Sequence, residues 1–145
     1  MGIESIVLTA RGSDHDARYL TRSREKTSII EIPAWQGELW THYRQEYFDA
    51  HAHIFQRLGL AHERSGGEVE CRFTHAQARA FLLLHIFVHE LGHHVDRMST
   101  RGQRDGSRGE DFAEAYADEL LDQLWPAYVE RFGDPRGDAP RSLAR

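Results

Sequence analysis

At 145 residues, with a formal charge of −5 and a single cysteine, the chain has the size of one domain with one core and too little length for two. The acidic balance argues against nucleic acid as the main partner, because phosphate binding relies on a basic surface, and the lone Cys71 excludes an intrachain disulfide. The opening Met-Gly-Ile-Glu-Ser-Ile lacks a charged stretch followed by an apolar one, and the longest apolar run is broken by His85 well short of membrane length, so the expectation is a cytoplasmic protein with no membrane partner.

Residues 3–10 and 27–32 are rich in β-branched side chains, and the second stretch alternates before Pro33, which predicts two antiparallel strands. The polar residues 11–26 between them exceed a tight turn and predict a short helix or a loop. From 38 to 58, Trp40, Tyr43, Tyr47, Phe48, Ile54, Phe55 and Leu58 recur at helical spacing and predict one amphipathic helix with an aromatic inner face. His42, His51, His53 and His62 on and after it read as surface or packing residues, since His51 and His53 are two apart and face different ways on a helix. Ser65-Gly66-Gly67 marks a turn, residues 69–73 a short third strand, and Cys71 within it a small buried side chain.

Thr74-His75-Ala76-Gln77 is a capping-box pattern, and it opens a helix expected to run from 74 to 98. Phe81, Leu82, Leu83, Leu84, Ile86, Phe87, Val88 and Leu91 go nearly all the way round, so this helix is expected to be buried. A loop without apolar residues follows, then a last helix from 107 to 132 with Phe112, Ala113, Tyr116, Ala117, Leu120, Leu121 and Leu124 inward. The domain is expected to span 1–133, and the Pro, Gly and Arg-rich residues 134–145 to form a flexible tail.

Inside the apolar helix lies His89-Glu90-Leu91-Gly92-His93. At 3.6 residues per turn His89 and His93 share a face, where two imidazole nitrogens reach one Zn²⁺ at about 2.0–2.1 Å. Glu90 then stands beside the metal, as a general base does when it takes a proton from a water whose pKa the ion lowers toward about 7. Two His and a Glu in so apolar a helix are costly to desolvate, and one ion is a partner that suits all three. His85 shares the face of His89, but three consecutive turns span too far for a single ion.

Catalytic zinc takes three protein ligands and an open position. The extended form of the motif fails here, because Asp96 stands where Gly is needed and Ser99 where a third His is needed. A carboxylate remains, and Glu110 and Glu114 on the returning helix are both within reach. Ser107-x-x-Glu110 also has the form of a capping box, which would leave Glu114 as the ligand with Asp118 in support.

Here the chain resembles the gluzincins, the thermolysin-like clan whose His₂Glu site is completed by a downstream Glu. Their pattern sets a small residue three after that Glu, Asp or Asn four after, an aromatic six after and a small residue seven after. From Glu110 this chain gives Ala113, Glu114, Tyr116 and Ala117, and Leu120-Leu121 matches the Leu-Leu that often follows in ImmA/IrrE-like metallopeptidases. The departure is Glu114 in place of Asp or Asn. The resemblance covers residues 74–124, and the order of elements is similar to that of the minigluzincins.

It implies an α+β zincin-like fold, with a short antiparallel sheet packed on a buried active-site helix and two further helices. It further implies a zinc metallopeptidase acting on protein or peptide, with one Zn²⁺ on His89, His93 and Glu110 and with Glu90 as the catalytic base. Glu114 is then the residue that holds a ligand histidine, or the alternative third ligand. A strand near the active helix pairs with extended substrate in that clan, and residues 28–32 or 69–73 are the candidates here. Tyr116 and His94 are candidates to steady the oxyanion. The rival reading is a non-catalytic or regulatory zinc module, with His94 or Asp96 supplying a fourth ligand.

Overall fold

The computed structural model describes residues 2–9, 17–22, 27–33, 39–99 and 108–137, and they form an α+β arrangement of two three-stranded sheets and a set of helices. The first sheet comprises β1 (Gly2–Thr9), β2 (Arg18–Arg22) and β3 (Thr27–Pro33), with β3 in the middle. β1 runs parallel to β3 and β2 antiparallel to it. This corrects the expected antiparallel pair. A four-residue connection makes β2 the hairpin partner of β3, and β1 is left on the opposite edge, running with β3. Part of the stretch expected to be helix or loop is therefore strand; its Leu20 is exposed and its Tyr19 half-buried, so no apolar face announced it.

The second sheet has the order β4 (Trp40–Arg44), β6 (Glu68–Arg72), β5 (Ala61–Ser65), with both outer strands antiparallel to β6. The β5–β6 hairpin turns on Gly66 and Gly67, both at positive φ (59° and 86°), as a two-residue turn matching the strand twist requires. β3 and β6 are both enclosed by neighbours, so neither strand nominated for substrate pairing has a free edge; the outer strands of the described residues are β1, β2, β4 and β5.

The single helix expected over 38–58 is instead β4 followed by α1 (Gln45–Ala50) and α2 (Ala52–Leu58). Trp40 and Tyr43 lie three apart as on a helix, but on the strand Trp40 is exposed under the Arg72 guanidinium while Tyr43 is half-buried against Tyr47. The break at His51 turns the chain between the two short helices, and Gly59 at φ 62° ends the second.

Next comes one continuous helical rod: α3 (His75–Phe81), a π-helical turn (Leu82–Ile86) and α4 (Phe87–Ser99). Its capping box is present, with the Gln77 N–H donating to Thr74 Oγ1 at 3.1 Å and the Thr74 N–H to Gln77 Oε1 at 2.9 Å. Gln77 Nε2 also donates to the Leu58 carbonyl and ties the rod to the end of α2. Burial is less complete than expected: Leu83 is exposed and Leu82, Ile86, Phe87 and Leu91 are half-buried.

The last helix, α5 (Gly109–Phe132), buries Ala113, Ala117, Leu121, Trp125 and Tyr128, whereas Leu124 is exposed. Ser107 lies outside the described residues. The first described N–H of α5, that of Gly109, donates instead to Asp96 Oδ2 of α4 at 3.1 Å. Residues 134–137 form a turn with Pro135 buried and Arg136 over the Trp125 ring, so this part of the expected tail is ordered on the domain; 138–145 lie outside the described residues.

The core joins α1, α2, β6, α3 and the C-terminal half of α5 through Phe48, Ile54, Phe55, Leu58, Phe81 and Leu121, with Cys71 buried as expected. α4 packs between α5 on one side and β2 and β3 on another.

Candidate metal centre

Gly92 governs how closely α4 and α5 approach. A Cβ placed there would meet Ala113 Cα at 2.9 Å and Ala113 O at 3.2 Å, which is backbone against backbone. Only glycine fits opposite Ala113 at this separation. The close crossing sets the first two turns of α5 over the His89–His93 face of α4, and Glu110 and Glu114, one turn apart, both reach it.

His89 Nε2 and His93 Nε2 are 3.1 Å apart. Glu110 Oε2 lies 3.1 Å from His89 Nε2, and Glu110 Oε1 lies 3.3 Å from His93 Nε2. Ligands at 2.0–2.1 Å from a tetrahedral ion are about 3.3 Å from one another. The donor set, two imidazole nitrogens and a carboxylate, is one that suits Zn²⁺, so the residues fit the ion on both spacing and chemistry. Glu90, next to His89 in the chain, is buried.

Glu114 approaches the same imidazole from behind. Its Oε1 is 3.0 Å from His89 Nδ1, a close contact whose direction is off that of a good hydrogen bond. A carboxylate there favours the tautomer with hydrogen on Nδ1 and leaves the Nε2 lone pair facing Glu110 and His93. The geometry thus gives the two glutamates different partners: Glu110 faces both Nε2 atoms, and Glu114 touches His89 on the far side of its ring. Burial alone would push the Glu114 carboxyl up, but the His51 and His89 rings beside it outweigh that and hold it well below the usual carboxylate range. Burial would likewise lower the His89 pKa, and Glu114 and Glu110 more than reverse that.

Two histidines that sequence reasoning set aside join this group. His51 is buried; its Nδ1 donates to the Tyr47 carbonyl at 2.7 Å and its Nε2 lies 3.1 Å from Glu114 Oε1. It is buried, as a packing residue is, but it also makes a polar contact that the continuous-helix expectation concealed. Burial would lower its pKa, and the bonds to Glu114 and Tyr47 raise it above the ordinary value instead. His85 is buried beneath Phe81, with its Nε2 3.7 Å from Glu114 Oε2; burial pushes its pKa down to about 4. The spacing His85-x-x-x-His89 on one helix and Glu110-x-x-x-Glu114 on the other was the signal in the sequence for a second layer, one turn from the first. His42 and His53 are exposed and pair with Glu70 and Asp122 at 3.5 Å, and His62 bonds the Leu60 carbonyl, as surface and packing residues do.

The remaining sequence candidates touch other groups. His94 Nδ1 lies 2.8 Å from the Tyr19 hydroxyl, which also contacts Ser28 Oγ at 2.7 Å, so His94 links α4 to the first sheet. Asp96 is buried and accepts from Arg108 Nε and the Gly109 N–H. Tyr116 is half-buried and stacks on Phe112. Among the described residues, no helix is long and apolar enough to cross a membrane. No protein-family model, no curated protein and no solved structure matches this chain.

Proposed function

We propose that this chain is a zinc-dependent metallopeptidase of gluzincin type, working on protein or peptide in the cytoplasm. The observation that carries the reading is the triangle of His89 Nε2, His93 Nε2 and the Glu110 carboxylate, with edges of 3.1, 3.1 and 3.3 Å. Zn²⁺ bound there supplies Lewis acidity, polarising a scissile carbonyl and making water acidic enough to give up a proton near neutral pH. Glu90 accepts that proton from the attacking water and delivers it to the leaving amine nitrogen. Glu114 holds the His89 ring so that Nε2, not Nδ1, is the nitrogen offered to the ion.

A regulatory zinc module without turnover is the second reading, and it needs a fourth protein ligand. Among the described residues the outer group holds three ligand residues and neither His94 nor Asp96 is one of them; His94 Nδ1 contacts the Tyr19 hydroxyl and both Asp96 carboxylate oxygens are engaged at the start of α5, which favours the enzyme.

The test is zinc content together with peptide hydrolysis in the purified protein. Glu90→Gln is expected to keep its zinc and lose about 10²–10⁴-fold in kcat. Glu114→Ala is expected to weaken zinc binding by about 10–100-fold, and Glu110→Ala by more, because the first holds a ligand and the second is one. Full hydrolysis by a zinc-loaded Glu90→Gln protein would overturn the mechanism.

A further inference from the structure

Behind the zinc triangle lies a second group of nitrogen and oxygen atoms, of which the proposed activity uses only Glu114, through its contact with His89. His51, on the joint between α1 and α2, His85, on the π-helical turn, and Glu114, on α5, bring one ligand atom each to within 4.8 Å of one another. Three separate elements converge there, and both histidines are buried.

The hydrogen-bond pattern leaves this group with an unserved acceptor. A backbone carbonyl only accepts, so the 2.7 Å contact from His51 Nδ1 to Tyr47 O places a hydrogen on Nδ1. In the neutral ring, His51 Nε2 then presents a lone pair to a carboxylate oxygen 3.1 Å away. Two lone pairs at that separation repel unless a cation lies between or beside them. A proton on Nε2 answers this one contact and leaves the other half of the group untouched. Glu114 Oε2 is buried without a hydrogen-bond partner, and His85 Nε2 stands 3.7 Å from it, too far to donate. The His85 ring lies deep in the core against Phe81, with that nitrogen turned toward Glu114 and short of hydrogen-bond reach.

We infer that His51, His85 and Glu114 form a second divalent-cation site, linked to the first through the contact between Glu114 and His89. One ion touching His51 Nε2, His85 Nε2 and Glu114 Oε2 serves all three groups at once. Two imidazoles and one carboxylate suit a borderline metal such as Zn²⁺, Co²⁺ or Fe²⁺, not Ca²⁺ or Mg²⁺, which take oxygen ligands. Glu114 Oε1 remains against His89 Nδ1, so filling this site leaves the outer triangle its own ligands. The inference does not require the outer site to be catalytic or even occupied.

The experiment is ion stoichiometry on the full chain, stripped of metal and dialysed to saturation against Zn²⁺ and separately against Co²⁺, with ions per chain read by elemental analysis. Wild type is expected to hold two, and His51→Gln, His85→Gln and His93→Ala one each. Saturation at one ion that His93→Ala removes and the His51 and His85 variants keep would overturn the second site, as would two ions in wild type and in both of those variants. A single ion lost in His51→Gln and His85→Gln but kept in His93→Ala would uphold this site and refute the outer one. Far-UV circular dichroism checks that the variants fold. If the His51 and His85 variants do not, Co²⁺ binding to His93→Ala decides: one bound ion supports the site and none refutes it.

Discussion

Asp96 is 1% exposed, although it sits near the end of α4 where a carboxylate would ordinarily be solvated. It closes the connection between the two site-bearing helices by accepting from Arg108 Nε at 2.7 Å and from the Gly109 N–H at 3.1 Å. Burial would raise its pKa, but the Arg108 and Gly109 hydrogen bonds prevail and hold it below its ordinary value of 3.8. A depressed folded-state pKa favours the native protein above the unfolded value, and this contribution is lost as pH falls through the lower folded value. Denaturant unfolding between pH 7 and pH 2 is expected to show wild-type stability dropping below about pH 4. Asp96→Asn should be less stable at pH 7 and lose less on acidification; identical pH profiles would remove Asp96 from the account. At this scale the sequence was informative about His89, Glu90 and His93, whose spacing places them within one element. It left Glu110 and Glu114 open because that choice depends on the rotation of α5 against α4, and it set His51 and His85 aside because their relation to Glu114 exists only after three elements meet.

Gly92 acts on the elements themselves. Because its missing side chain allows α4 and α5 to touch backbone to backbone, Gly92→Ala must separate the helices or shift Ala113, at about 1–3 kcal/mol for an overpacked contact. The separation also draws Glu110 from the two histidines. We expect the variant to melt lower than wild type and to bind zinc more weakly than the stability loss alone accounts for; unchanged zinc affinity would show that the crossing distance does not set the site. Element by element, the rod from Thr74 was readable because its cap is local chemistry and its apolar run is long. The π-helical turn within it leaves no comparable trace in the residue pattern. β4 was misread because Trp40 and Tyr43 carry a helical spacing by coincidence, and β2 because its apolar residue faces solvent. Strand direction was beyond reach, since it depends on which segment takes each edge of β3, with β2 antiparallel on one and β1 parallel on the other.

Taken as one body, the protein has its main apolar cluster on the side of α2, β6 and the C-terminal half of α5, and its His89–His93–Glu110 triangle at the opposite end of the α4–α5 pair. An ion bound there clamps two helices that otherwise meet through small residues, so metal should be felt by the whole domain. At zinc concentrations 100-fold above Kd, native-state binding adds about 2.7 kcal/mol, which for a chain of this size is a rise in Tm of roughly 10 °C. Thermal melts with added chelator and then with restored zinc check this; a Tm indifferent to both would mean that the folded protein holds no ion. The α+β composition was legible in the sequence, but its partition into two sheets was not, because that is a property of pairing between distant segments. Solvent contact falls steeply across the cluster, from a Glu110 side chain 77% exposed, through Glu114 at 30%, to His85 at 3%. Among the described residues the cluster is therefore most open at the first turn of α5, and small hydroxamates or thiols are expected to approach from the Glu110 side, away from His85.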